Sequence, residues 1–407
     1  MHVIKKITSI ALIAGAAGLS PALFAAEPIK IGVINPFSGP LALYGVEMTR
    51  GYELAVDQVN ASGGLLGRKV ALVRGDAANP QQGIAAVEQL VTNDNVDMFS
   101  GTYISAVSNA ASDAASRYNK LYWDTGAVAQ NLTERGLPNF IRSGTYALSF
   151  AAGTVDTVKD LIAPALKKNV KDLKVWIEHE DSIYGTSIAI SQKRMLEALG
   201  AKIVGVGAHA SRSIDMNDTI LRAKQANPDV FIETGYVPDG NLLLRTARDQ
   251  GFKPAAMLYV GTGDTAETLA SLGGTSLEGL LVVGWPRNDV IESFGPGAKA
   301  FLNAYRAKFK SDPIAPQSMA GYVGLQMLFD TIKAANSIDL EKVRLAAANM
   351  DKPLGSYATG FGIKFDKNFQ NMRASPTTGQ WQSGKMVTVF PEKAVAPGVV
   401  LQNLARN

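Results

Sequence analysis

None of the 407 residues is cysteine, which removes disulfides, thiol nucleophiles and cysteine metal sites together. Histidine is almost as scarce: three residues, His2, His179 and His209. Sequence motifs for common chemistries are missing too. There is no GxxxxGK[ST] phosphate loop, no GxSxG nucleophile turn and no HExxH zinc motif. Gly261-Thr262-Gly263 lacks the third glycine of a dinucleotide fingerprint and follows a late strand. Nothing therefore calls for a cofactor or a metal. Charge of one sign is also lacking. The formal net charge of +4 falls to +2 once Lys5 and Lys6 are set aside, too little to argue for nucleic acid or a membrane surface. What remains is ordinary globular composition, 46% hydrophobic and 19% charged, long enough for two or three domains with a large core.

The first residues read as an export signal, not as fold. Lys5-Lys6 is basic, Ile7 to Leu19 is apolar, and small residues up to Ala26 precede the polar Glu27. This is the pattern of a secretory signal peptide cut after Ala25 or Ala26. The apolar run is shorter than the roughly 20 residues of a spanning helix. No cysteine follows it for a lipid anchor. A large exported chain without disulfides suits a bacterial periplasm.

The rest alternates strands with helices. Ile29 to Ile34 is a buried-type strand, and Met48, Tyr52, Ala55, Val56 and Val59 then recur on one helical face, stopped by Ser62-Gly63-Gly64. A strand at Lys69 to Val73 leads to Asn79-Pro80, a helix cap with proline in the first turn. A third strand, Val96 to Phe99, opens the hydroxyl-rich stretch Ser100 to Ser116 and its helix. The pattern restarts with strands at Lys174 to Ile177, Lys202 to Val206, Asp229 to Thr234 and Met257 to Val260. Two α/β units in series are expected, each with a parallel sheet covered by helices. Brief linkers fall near Ser143 to Thr145, near Val282 to Pro286 and after Lys352 to Gly355.

Open parallel sheets bind ligands at the C-terminal ends of their strands. Here those loops carry Ser38 to Tyr44, Ser100 to Ser105, Asp124 to Val128, Glu180 to Tyr184, Gly235 to Asp239 and Gly261 to Asp264. Hydroxyls, aromatics, glycines and a few acids suit the grip of a small polar molecule. They include no nucleophile–base pair. Ser105 stands where a helix N-terminus offers free amides, which suits a carboxylate. It equally suits a plain helix cap. His179, within Glu178-His179-Glu180-Asp181, is expected to be an isolated surface histidine.

The chain resembles the periplasmic solute-binding proteins of branched-chain amino-acid ABC transporters, the leucine/isoleucine/valine-binding type. The resemblance is carried by Ile31-Gly32-Val33, Ser38-Gly39-Pro40, Tyr44-Gly45, the Asn60 to Gly67 run and Leu132 to Gly136. It continues through Tyr184-Gly185, Gly235-Tyr236, Leu244 to Gly251 and Glu278 to Val282. It implies an α/β fold of two doubly wound parallel-sheet lobes joined by a three-crossover hinge, the type I periplasmic binding protein fold. The lobes would comprise 27–144 with 285–354, and 145–284 with 355–407, after a 1–26 signal.

The resemblance also implies roles. Ser105 matches the serine that binds the ligand carboxylate, and Gly126 and Val128 match the segment holding the α-amino and carboxylate groups. Tyr184 and Tyr236 match aromatics that the second lobe brings over the ligand, and Tyr44 an aromatic wall. The acid that pairs with the ammonium falls at Gly263, so Asp264 either replaces it or caps the following helix. Gln317 stands at an aromatic pocket position, and Val128 where a threonine is common. The expectation is a monomeric binder of an amino acid or related carboxylate or amide. It would serve an inner-membrane ABC permease, with no cofactor, no nucleic-acid partner and no catalysis. A sensory receptor of the same fold is the first alternative. A hydrolase using His179 and Asp181 is the second.

Overall fold

The computed structural model describes residues 27–404, so the expected signal peptide lies outside the described residues. Two sheets organise the chain. The first is wholly parallel, in the order β2-β1-β3-β4-β5. Its strands are β1 (Ile29–Asn35), β2 (Val70–Asp76), β3 (Met98–Gly101), β4 (Tyr122–Asp124) and β5 (Phe140–Arg142). The second sheet has the order β12-β11-β10-β9-β8-β6-β7. It contains β6 (Lys174–Glu180), β7 (Lys202–His209), β8 (Val230–Thr234), β9 (Ala256–Val260) and β10 (Leu281–Gly284) in parallel. β11 (Thr377–Gln382) and β12 (Lys385–Phe390) run antiparallel at its edge.

The second sheet is therefore mixed, not wholly parallel as the sequence suggests. The reason is local: a Ser383-Gly384 turn with both residues at positive φ joins β11 directly to β12 as a hairpin, with no crossover helix between them.

Apolar strand runs give the sheets their buried faces. Ile29, Ile31 and Val33 of β1 and Val175, Ile177, Val230 and Ile232 of β6 and β8 are all fully buried. The helices follow the caps in the sequence. Asn79 Oδ1 accepts the amide of Gln82 at 3.0 Å and starts Pro80–Thr92. Ser182 starts Ile183–Ala198 by accepting the amide of Tyr184 at 3.2 Å.

The chain passes between the sheets near residues 143–146, 285–290 and 371–376. The first and third passages are tied together. Asn371 Nδ2 donates to Ser143 O at 2.9 Å, the Asn371 amide to Arg142 O at 2.9 Å, and Gln370 Nε2 to Gly144 O at 3.2 Å. The stretch 355–374, expected in the second lobe, packs against the first. Phe365 meets Trp123 edge-on at 5.8 Å, and the Tyr357 hydroxyl donates to Asp330 at 2.7 Å. The boundary of the last segment therefore falls near 375, where β11 joins the second sheet.

Candidate functional site

The strand ends of both sheets face each other, and aromatic rings fill the interface. Tyr44, near the start of the helix Ala42–Ala61, stacks on Tyr103 of the β3 loop with ring centroids 4.2 Å apart. Tyr103 meets Tyr236 of the second lobe at 5.9 Å, and Tyr236 meets Tyr184 at 5.1 Å. Trp285, on the second passage between the lobes, lies 6.1 Å from Tyr103 and 5.0 Å from Phe150. All of these rings are buried, and burial pushes the phenol pKa values of the four tyrosines well above the ordinary value.

Tyr44, Tyr184 and Tyr236, the aromatics expected at the site, are brought together through Tyr103. Tyr103, Phe150 and Trp285 are not among the expected ligand residues, although Tyr103 sits inside the hydroxyl-rich stretch.

Ser105 is the first residue of the helix Ser105–Arg117, and Ile104 precedes it at the cap position. Its Oγ accepts the amides of Val128 and Ala129, each at 3.1 Å. It is thus neither a cap for its own helix nor a free hydroxyl; it clamps the loop after β4. Asp124 Oδ1 accepts the amides of Gly126 and Ala127 at 3.1 and 2.9 Å. The fully buried Arg142 guanidinium donates to Ala127 O and Ala129 O at 3.1 and 2.7 Å.

The amides of Gly126 and Val128, which the resemblance assigns to the ligand, therefore already donate within the first lobe. The loop is rigid by construction, since four successive amides have fixed acceptors. Gly126 also sits against Met48, whose Cε lies 2.3 Å from where a β-carbon would be.

Burial raises the Asp124 carboxyl to about 7 despite a short hydrogen bond from Ser108 and the charge of Arg142. Burial likewise lowers Arg142, to about 10, with Asp124 opposing.

In the second lobe the Tyr184 hydroxyl donates to Val260 O at 3.2 Å and Gly235 O at 3.4 Å. Tyr184 thus offers the cleft its ring, not its hydroxyl. Gly261 is required beneath it: φ is +72°, and a β-carbon would fall 2.0 Å from the Tyr184 oxygen. Asp264 is buried, and Thr265, not Asp264, caps the next helix by accepting the amide of Thr268 at 3.2 Å. An Asp264 oxygen lies 3.5 Å from Arg287 Nη1, which also donates to Asp264 O at 3.1 Å. Burial raises the Asp264 carboxyl, and Arg287 opposes the rise. Nothing local in the sequence links Arg287 to the Gly261 to Asp264 loop, 23 residues before it.

Several buried polar atoms at this interface have no partner among the described residues: Tyr44 Oη, Thr102 Oγ1, Thr145 Oγ1 and Trp285 Nε1. Gln317 Oε1 is likewise buried and unpartnered. Most buried polar groups are hydrogen-bonded, and two of these orphans, Tyr44 Oη and Trp285 Nε1, belong to the ring cluster itself, where a polar molecule could meet them.

His179 is buried, contrary to the surface position expected, and its Nδ1 lies 2.8 Å from Glu180 O. Glu180 accepts the amides of Ser182 and Gly185 and the Ser182 hydroxyl, which leaves it tied into the helix start. A groove of about 630 Å³, lined in part by Tyr146, Met372, Pro376 and Phe390, contains none of the seven expected ligand residues.

The chain is thus a two-lobe α/β body with an aromatic seam between its strand ends. A family model described as periplasmic binding protein matches residues 28–385. The chain belongs to that family. It is 38% identical over 391 residues to Leu/Ile/Val-binding protein homolog 7 of Brucella suis biovar 1, covering 96% of this chain and 97% of that one. It is 38% identical over 379 residues to homolog 8 of Brucella abortus, covering 92% and 94%.

Among solved structures, a leucine-binding protein from Thermotoga maritima superposes with a TM-score of 0.77 at 23% identity, over 91% of this chain and 99% of that one. A Rhodopseudomonas palustris ABC-transporter solute-binding protein in complex with p-hydroxybenzoic acid gives 0.77 at 21%, over 89% and 95%. These two carry the type I fold assignment. The family and the curated relatives are solute-binding proteins, and the family is a periplasmic one.

Proposed function

We propose that this periplasmic binding protein is the capture component of an ABC importer, closing two lobes on a small carboxylate and presenting the closed form to an inner-membrane permease. The chain would be exported by its first 26 residues, act as a monomer and turn nothing over. The observation that carries the reading is the aromatic seam Tyr44–Tyr103–Tyr236–Tyr184. Rings from two lobes in mutual contact belong to a closed form, and a ligand binding both lobes favours that form by its differential affinity. A swing from nearly all open to nearly all closed takes about 5.5 kcal/mol, within reach of a few charge-assisted hydrogen bonds.

On ligand class, one contact favours an acid without an amine. Asp264, the candidate partner for a ligand ammonium, already faces Arg287. An α-amino acid would have to share that carboxylate with a guanidinium. A flat carboxylic acid would need only the aromatic walls and the hydroxyl and indole donors. The thermal-shift panel that tests this is leucine, isoleucine, valine, benzoate and 4-hydroxybenzoate on protein freed of bound solute by unfolding and refolding. A ligand at 100 times its Kd stabilises by about 2.7 kcal/mol. The two benzoates are expected to raise the melting temperature more than the three amino acids. The reverse order restores the amino-acid reading, and no response to any of the five counts against small carboxylates as the class.

A further inference from the structure

Four titratable side chains are buried together near the ends of β6, β7 and β8: Glu178, His209, Glu233 and Asp239. Register sets Glu178 beside Glu233 on adjacent strands. His209 is the last residue of β7, and Asp239 lies in the first turn of the helix Val237–Asp249. His209 is held from both sides, with Nδ1 3.0 Å from Glu178 Oε1 and Nε2 3.2 Å from Asp239 Oδ2. Trp176 Nε1 fixes the other Glu178 oxygen at 3.0 Å, and the Tyr236 amide donates to Asp239.

Glu233 is different. It is fully buried, and neither carboxylate oxygen has a partner among the described residues. Its oxygen nevertheless comes within 4.8 Å of the His209 and Asp239 ligand atoms. Gly235 makes room for this approach, since a β-carbon there would lie 2.2 Å from Glu233 Oε1 and 2.4 Å from Asp239 Oδ2.

We propose that His209, Glu233 and Asp239 form a binding site for a divalent transition cation of the zinc type. The donor set of one imidazole and two carboxylates is one that zinc accepts. The 3.2 Å between His209 Nε2 and Asp239 Oδ2 matches the edge of a tetrahedron with bonds of about 2.0 Å. Glu178 supplies what a metal-bound histidine usually has behind it, a carboxylate on the other ring nitrogen that fixes tautomer and orientation. A polar group without a partner in a dry core is costly, and a cation held beside His209 and Asp239 would give Glu233 the partner it lacks. β7 is the edge strand and Ala210 after it is exposed, so the site lies one residue from solvent. A bound cation would tie the edge of the second sheet to the helix that follows Tyr236, stiffening one wall of the cleft. The site adjoins the ligand seam through the Tyr236 amide, which donates to Asp239, but none of its three donors is a ring of the seam, so it does not depend on which solute the seam takes.

The test uses the full chain, free of any affinity tag and stripped by chelator, titrated with zinc against a chromophoric chelator. One zinc per chain with a Kd in the micromolar range or below is expected. His209→Gln and Glu233→Gln should each weaken uptake at least tenfold, and Glu178→Gln by roughly 10–100-fold as an outer-shell change. His179→Ala should leave uptake unchanged. X-ray absorption at the zinc edge of the wild-type chain should show one imidazole nitrogen among oxygen donors, a readout that stands even where a variant fails to fold. No uptake, a zinc environment without imidazole, or uptake undiminished in folded Glu233→Gln overturns the proposal.

Discussion

Tyr103 of the first lobe meets Tyr236 of the second edge-on, with ring centroids 5.9 Å apart. Each ring is also backed by another tyrosine of its own lobe, Tyr103 by Tyr44 and Tyr236 by Tyr184. The lobes thus close on paired rings, and a change in either ring should act on closure before it acts on folding.

Removing that contact is the first prediction. An aromatic pair is worth about 0.5–1.5 kcal/mol beyond its buried area. Tyr103→Ala should therefore weaken solute binding by at least about two- to tenfold by calorimetry, beyond whatever loss of the stack on Tyr44 lowers the melting temperature of the unliganded chain. Equal affinity in the variant would mean that the seam plays no part in capture.

Ser105 should behave as a clamp as well as a cleft residue. Ser105→Ala removes the acceptor for the buried amides of Val128 and Ala129. Leaving buried donors unmet costs about 1–3 kcal/mol each, so denaturant unfolding should show clear destabilisation alongside any loss of affinity. Unchanged stability would contradict the clamp.

Arg287→Met should leave the Asp264 carboxyl buried without its cation. Because Arg287 is partly exposed, the expected loss is about 1–3 kcal/mol in denaturant unfolding, at the lower end for a broken pair. Restoration of stability in the double variant Arg287→Met with Asp264→Asn would confirm the coupling. Additive losses would exclude it.

Asp124 carries a pH dependence whose sign follows from burial. Its folded-state pKa is raised from 3.8 to about 7. Below the lower value both states hold the proton and the residue contributes no slope. As pH rises from about 4 to about 7, the unfolded chain ionises while the folded chain keeps its proton, so stability falls, then levels off. The full effect is on the order of 4 kcal/mol. Asp124→Asn keeps the acceptor for Gly126 and Ala127 and can donate to Ser108. Denaturant unfolding at intervals from pH 4 to 8 should show a flatter profile for this variant. Parallel profiles would mean that Asp124 is ionised in the fold.

The parts of this fold that were legible in the sequence are those written in periodic apolar residues. β1, β6 and β8 announce themselves as buried runs, and the helix Pro80–Thr92 by its Asn79 cap. β11 is not legible, because Thr377-Thr378-Gly379-Gln380 is polar yet buried between β10 and β12, its side chains paired across long sequence distances. The site divides in the same way. Loop position exposed Tyr44, Ser105, Tyr184 and Tyr236. Local sequence could not show that Ser105 is occupied by the Val128 loop, that Arg287 reaches Asp264, or that His209 is enclosed by acids. A signal for the last exists: Glu178 and Glu233 each directly follow a buried apolar run within their strand, and an acid in such a place needs a partner.

Closure on a solute is the central claim, and small-angle X-ray scattering measures it most directly. The wild-type chain, freed of bound solute, should be measured alone and with a saturating concentration of whichever acid of the five-compound panel most stabilises it. A smaller radius of gyration with the acid, and no contraction in Tyr103→Ala at the concentration that saturates wild type, is the predicted result. An identical radius with and without the acid in the wild-type chain would contradict capture by hinge closure.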